Sequence, residues 1–242
     1  MIAQASGAEK VLRYRKAALG RRALVAFKSK KAFEAKHVVD RYLECLSPLG
    51  IEKPSRQPEV VLDSNEKAFG RRFFGESGTF VGLVPGAKHA TKRWLKDGFA
   101  EVGKRLWQED RIGAVVLGGR EEKVLVENVT ESIGKGARPA FDLTLRQMAS
   151  VLASCQAVLT NDSGPMHLAT AVGTPVVALF GPTVEAFGFF PLGERNVVLE
   201  RVLPCRPCSL HGTEKCPEGH FKCMREITAG EVLGAVRGVL AR

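Results

Sequence analysis

The spacing of apolar and polar positions divides the chain into a loosely patterned opening and a regular remainder. Residues 8–22 read as a basic helix, and Ala23 to Phe27 as a short apolar run of strand type. Ala32 to Leu49 carries Val38, Val39, Tyr42, Leu43 and Leu46 at helical spacing, with Gly50 as the stop. The stretch from Glu52 to Pro58 has two prolines and several charges and predicts a loop. Val60 to Leu62 predicts a brief extended segment, and Asn65 to Phe74 a helix leading into a second domain.

From residue 79 the pattern turns regular. Strands are predicted at Phe80 to Val84, Ile112 to Leu117, Ala157 to Leu159 and Val176 to Phe180. Helices are predicted at Lys96 to Gln108, Glu121 to Ile133, Leu143 to Ser154 (with Asp142 as its cap), Met166 to Val172 and Thr228 to Leu240. Strands alternating with helices across short Gly-rich joints imply an α/β fold with a parallel sheet covered on both faces. The domain boundary is expected near residue 70, giving units at 1–70 and 71–242.

Composition changes the picture in two places. The net charge is +10, and the first 36 residues hold ten Lys/Arg against Glu9 and Glu34, a net +8. Such a block is either a solvated helix face or a surface for an anionic partner: a phosphorylated substrate, an acidic membrane surface or nucleic acid. Four of the six cysteines crowd between Cys205 and Cys223. No apolar run reaches the ~20 residues that span a bilayer, and residues 1–10 lack the order of a secretory signal. A cytoplasmic protein is expected, at most peripheral to a membrane.

In open parallel sheets, ligands bind beyond the carboxyl ends of the strands. Four joints lie there: Pro85-Gly86-Ala87, Gly118-Gly119-Arg120-Glu121, Asn161-Asp162-Ser163-Gly164-Pro165 and Gly181-Pro182-Thr183. The third opens a helix. Pro165 suits a first helical turn, Gly164 lets a ligand approach the backbone, and free N–H groups at the positive end of the helix dipole favour phosphate. Asp162 or Ser163 capping the helix is the simpler alternative. Asp162 would repel a phosphate and is better suited to accept hydrogen bonds from sugar hydroxyls. His167, one turn further, either faces the same ligand or is structural.

The run from Leu143 to Thr183, LTLRQMASVLASCQAVLTNDSGPMHLATAVGTPVVALFGPT, resembles the signature of glycosyltransferase family 9, the ADP-heptose:lipopolysaccharide heptosyltransferases. PGAKHATKRWL at 85–95 resembles a second family motif, the Gly118-Gly119 joint is a weaker third, and HVVDRYLECLSPLGI at 37–51 matches more loosely. The resemblance implies the GT-B architecture, two Rossmann-like domains across a cleft. The C-terminal one would hold the nucleotide-sugar donor, ADP-heptose. The N-terminal one would hold the acceptor, the lipopolysaccharide inner core, an anionic glycolipid at the inner membrane surface. Transfer would invert the anomeric centre as ADP leaves.

Residue by residue, the resemblance puts Lys92 on the phosphate or sugar end of the donor and makes Lys92 and Asp162 the catalytic candidates. It puts Asp162 and His167 on the donor, the backbone N–H groups of Ser163 and Gly164 on the phosphates, and a Glu after Gly118-Gly119 on the ribose, Glu121 before Glu122. Without the motif, Lys92 and Arg93 read as a solvated loop; Thr183, at another strand end, either lines the cleft or is a turn residue, and Trp94 reads as packing. A departing diphosphate needs positive charge. Lys92 and the 163–165 helix start offer it, and there is no Asp-x-Asp motif to hold a divalent ion, so no metal and no cofactor is expected.

Four further expectations follow. The family's general-base Asp near the start of the chain has no counterpart, since no Asp precedes Asp40. The chain therefore reads as lacking the first part of the N-terminal domain. Cys205-x2-Cys208-x7-Cys216-x6-Cys223 has one pair at zinc-ligand spacing, with His211 and His220 between; structural zinc, reduced thiols and a labile disulfide all stay open. Competing functions are a GT-B enzyme using a UDP-sugar and a basic nucleic-acid-binding protein with a zinc knob. The last leaves the four joints unexplained, so no nucleic-acid partner is expected. These 242 residues should bind donor yet transfer poorly; a turnover assay matching that of a longer relative would refute this.

Overall fold

The computed structural model describes residues 7–14, 16–28, 35–74 and 78–242. Its elements in chain order begin with α1 (Ala18–Phe27), α2 (Val38–Leu43, continued as a 3-10 turn over Glu44–Leu49), α3 (Ser64–Phe74), β1 (Phe80–Val84) and α4 (Lys96–Asp110). They continue with β2 (Gly113–Leu117), α5 (Lys123–Ile133), β3 (Ala137–Ala140), α6 (Leu145–Ala153), β4 (Ala157–Asn161) and α7 (Gly164–Ala171). The last are β5 (Val176–Phe180), β6 (Val197–Glu200), α8 (Lys222–Arg225) and α9 (Ala229–Leu240).

Six strands form one all-parallel sheet in the order β3-β2-β1-β4-β5-β6. Both faces are covered, which is why β2, β4 and β5 are buried throughout and read as continuous apolar runs. Within each strand the side chains still alternate. Val81, Leu83, Ala114, Val116, Leu159, Val177 and Leu179 face one core, shared with Phe99, Val102 and Leu106 of α4, Val126 and Ile133 of α5, and Val232 and Val236 of α9. Val84, Val115, Leu117, Val158, Val176, Ala178 and Phe180 face the other, shared with Phe74 of α3, Val151 and Leu152 of α6, and Met166 of α7. The α/β reading holds, as do the four predicted strands and the predicted helices from α3 onward; the four-residue α8 was not predicted.

The opening of the chain is where prediction and structure part. Residues 8–14 are not helical; the helix begins at Ala18 and absorbs the predicted strand at 23–27. ALGRRALVAF is rich in strong helix formers, and among the described residues no strand of the sheet comes from this region to pair with it. Residues 32–34 of the predicted second helix lie outside the described residues. Val60 to Leu62 forms no strand; Val60 N–H makes one bond, to Ala171 O, at 2.8 Å.

Elsewhere the differences are local. β3 and β6 escaped prediction because both are four-residue edge strands; β3 even contains Pro139, which an edge tolerates. Asp142 sits at φ 58° and caps nothing: the N-cap of α6 is Thr144, in a reciprocal pair with Gln147. The last helix, α9, lies along α4, where Arg237 bridges Glu109 and Asp110.

Gly70 marks the tightest helix contact, α3 against α6: a Cβ there would lie 2.3 Å from Ser150 O. Gly70→Ala should therefore lower unfolding free energy by about 1–3 kcal/mol. Gly234→Ala, in exposed α9 backbone where a Cβ meets nothing within 4 Å, should raise it by roughly 0.5–1 kcal/mol. Urea denaturation of the two variants measures both; equal shifts would refute the packing argument.

Candidate active site

The order of the sheet places its switch point between β1 and β4. The chain leaves β1 toward β2 on one side, and leaves β4 toward β5 on the other, so the loops diverge and a crevice opens at the carboxyl ends. All four sequence joints lie on that edge. Asn161, the final residue of β4, is fully buried beneath it. Its Nδ2 donates to Pro85 O at 2.9 Å and Gly86 O at 3.2 Å, and its Oδ1 accepts from Trp94 N–H at 2.9 Å. One amide thus ties the β4 loop to both ends of the segment that carries Lys92. Trp94 is packing, as expected, with its Nε1 donating to Ile227 O at 3.1 Å and its ring edge-on to Phe99.

Beyond β4 and β5 lies a cavity of about 320 Å³ whose wall includes Lys92, Asp162, Ser163, Gly164, His167 and Thr183. Lys92 Nζ is 2.7 Å from Asp162 Oδ2, and Thr183 Oγ1 donates to the same oxygen at 2.6 Å. Asp162 is 7% exposed, so this ion pair is largely withdrawn from water. Asp162 holds Lys92 and Thr183 and does not cap α7. Ser163 is the N-cap residue, but its side chain makes no capping bond. The first turn of α7 therefore presents backbone N–H groups to the cavity without a side-chain cap. A Cβ at Gly164 would meet nothing within 4 Å, which leaves that approach open.

His167 stands one turn into α7. Burial pushes its imidazole below the ordinary value of 6.5; His37 and Lys92 add to this, against the carboxylate of Asp162. The ring is neutral at pH 7, able both to donate and to accept a hydrogen bond. His37 went unnoticed in the sequence. It is buried, with Nδ1 accepting from Val39 N–H at 3.1 Å and Nε2 lying 3.0 Å from Phe190 O, which assigns the ring proton to Nε2.

Glu121 is the one predicted site residue outside this cluster. It is exposed in the turn Arg120–Glu122 at the end of β2 and does not line the cavity. Glu122 closes that turn through a 2.9 Å bond from Gly119 N–H, and its carboxylate lies over Gly86, where a Cβ would fall 1.9 Å from Oε1.

Arg206 is the second residue that sequence reasoning missed. Its buried guanidinium donates to the carbonyls of Gly181, Arg201 and, at 2.6 Å, Thr183, and pairs with Glu200 Oε2 at 2.7 Å. All six cysteines are free. Burial and the neighbouring thiols of Cys205 and Cys223 push Cys208 up to about 12, and burial raises Cys223. Among the described residues, no group of three or more His, Cys, Asp or Glu side chains is arranged to hold a metal ion. Nor is any helix long and apolar enough to cross a membrane.

Comparison with known proteins matches residues 2–219 to the model of glycosyltransferase family 9 (heptosyltransferase). Lipopolysaccharide heptosyltransferase 2 of Escherichia coli K12 is 28% identical over 220 residues, covering 84% of this chain and 61% of that protein. Lipooligosaccharide heptosyltransferase 2 of Campylobacter jejuni is 30% identical over 164 residues, covering 65% and 50%. The solved E. coli ADP-heptose lipopolysaccharide heptosyltransferase II superposes with a TM-score of 0.65 at 26% identity, over 80% of this chain and 56% of that one. A family 9 structure from Veillonella parvula gives 0.74 at 24% identity, over 86% and 61%. The chain thus spans about half to three-fifths of the length of these relatives.

The depressed His167 carries a sign for stability. The unfolded chain takes up a proton near 6.5, before the folded one does, so stability falls as pH drops through that value toward the lower folded one. Unfolding free energy measured from pH 8 to 5 should decline, and the decline should shrink in His167→Gln. An unchanged slope in that variant would contradict the assignment.

Proposed function

The chain belongs to glycosyltransferase family 9, the heptosyltransferases, and from that premise we propose that its cavity takes the sugar-diphosphate end of ADP-heptose. The observation that carries this reading is the Lys92–Asp162 pair beside the uncapped start of α7 in one cavity. As the glycosidic bond breaks, negative charge gathers on the departing diphosphate. Lys92 and the N–H groups of Ser163 and Gly164 stand ready to stabilise it, with no reorganisation at the moment of reaction. This charge supply supports a metal-independent transfer.

Asp162 takes the role of anchor and reader. Its Oδ2 holds Lys92 and Thr183, leaving Oδ1 for a hydroxyl of the heptose. His167, neutral, adds a donor or acceptor at the same end. From the cavity by β4 and β5, the nucleoside would run across the end of β1 toward β2, where Glu121 is exposed to meet the ribose. On this reading residues 71–242 form the donor domain, and 1–70 belong to the acceptor side. The acceptor is the anionic inner core of lipopolysaccharide, which the basic first 36 residues suit. The relatives act in lipopolysaccharide or lipooligosaccharide heptosyl transfer by name, and the solved E. coli relative is named for ADP-heptose.

Calorimetric titration with ADP, UDP and an oligonucleotide tests the proposal. ADP should bind in preference to the other two. Lys92→Ala should weaken ADP by about tenfold or more, the loss of one charge-assisted hydrogen bond. Asp162→Ala should weaken it too by releasing Lys92. Tighter binding of UDP, or indifference of ADP to both substitutions, would overturn the assignment.

A further inference from the structure

We propose that the loop from Leu203 to Phe221 is the positioning element of this site and that Thr91 is the residue through which it aims Lys92; the consequence for ligand affinity rests on the donor reading above. Lysine carries its charge on a flexible four-carbon stem, so a site that uses it needs something to choose its rotamer. Asp162 holds the ammonium end. The stem and the turn beneath it are held from the loop.

Three observations converge. Thr91, buried and next to Lys92 in the 3-10 turn Ala90–Lys92, is zipped to Thr213 of the loop. Its N–H and its Oγ1 donate to Thr213 O at 3.0 and 2.8 Å, and Oγ1 accepts from Thr213 N–H at 2.8 Å. One hydroxyl has the single proton and two lone pairs to do both. Beside it Gly212 lies at φ 96°, where a Cβ would fall 2.8 Å from His89 Cβ and 3.2 Å from Lys92 Cγ. The loop backbone thus rests directly on the lysine stem, and only glycine allows it. On the far side the same loop grips the partner of Lys92. Arg206 holds the carbonyls of Gly181 and Thr183, Cys208 N–H donates to Pro182 O at 3.0 Å, and Thr183 in turn donates to Asp162. Both members of the ion pair are therefore braced from one segment, which also brings Leu210 and His211 to the cavity wall.

The test compares Thr91→Val, which keeps the volume and removes the hydroxyl, with Thr91→Ser, which restores it. After reductive 13C-methylation, the Lys92 resonance is identified by its loss in Lys92→Arg. In Thr91→Val it should move toward the position of exposed lysines, and the dissociation constant for ADP should rise about tenfold; in Thr91→Ser both should stay near wild type. An unmoved Lys92 resonance in Thr91→Val overturns the proposal whatever ADP does, and so does a serine variant that behaves like the valine one. A resonance that moves in a protein whose wild type ignores ADP keeps the positioning role and removes the donor reading instead. Should Thr91→Val fail to fold, Gly212→Ala presses on the same stem and must displace the same resonance.

Discussion

The buried amide of Asn161 is the contact on which the rest of the site depends. It stands at the switch point, where parallel strands part and the backbone would otherwise leave carbonyls facing inward. By accepting from Trp94 and donating to Pro85 and Gly86, it settles three main-chain groups of a neighbouring connection at once. A buried polar group left unpaired costs far more than a paired one returns, so the three bonds form together or the edge of the sheet rearranges. Everything that gives the cavity its character follows from that registration. Lys92 lies two residues before Trp94, and Asp162 directly follows Asn161.

An ion pair withdrawn this far from water is not a stability device, because desolvation consumes much of the attraction between the charges. Its value lies in arrangement. Lys92 is oriented and close to a helix start that favours anions, while Asp162, which alone would repel an anion, has its charge offset by Lys92 on the oxygen that also accepts from Thr183.

How much could be read from residue order depended on where the determining contacts lie. Four strands declared themselves because burial on both faces forces uninterrupted apolar runs. The motif at 160–167 pointed to Asp162, Ser163, Gly164 and His167, which share one cavity wall, because helix starts after strands have a local signature. What stayed hidden depends on partners distant in sequence. Nothing near Arg206 says that it will gather carbonyls from 181 and 183, and nothing near His37 announces Phe190 as its ring partner. β3 and β6 are short edges whose pairing comes from β2 and β5 rather than from their own composition. At the other end, Ala23 to Phe27 suits helix and strand alike, and among the described residues no strand adjoins it.

The carboxylate of Glu122 folded over Gly86 has a consequence for how this sequence can drift. With Glu122 where it is, a side chain at position 86 would have to push that carboxylate aside. With Glu122 shortened, the space is free but the Gly119 turn loses the acceptor that closes it. The two positions are thus coupled: bulk gained at 86 displaces the carboxylate, and a change at either one loosens the Gly119 turn at the neighbouring strand end.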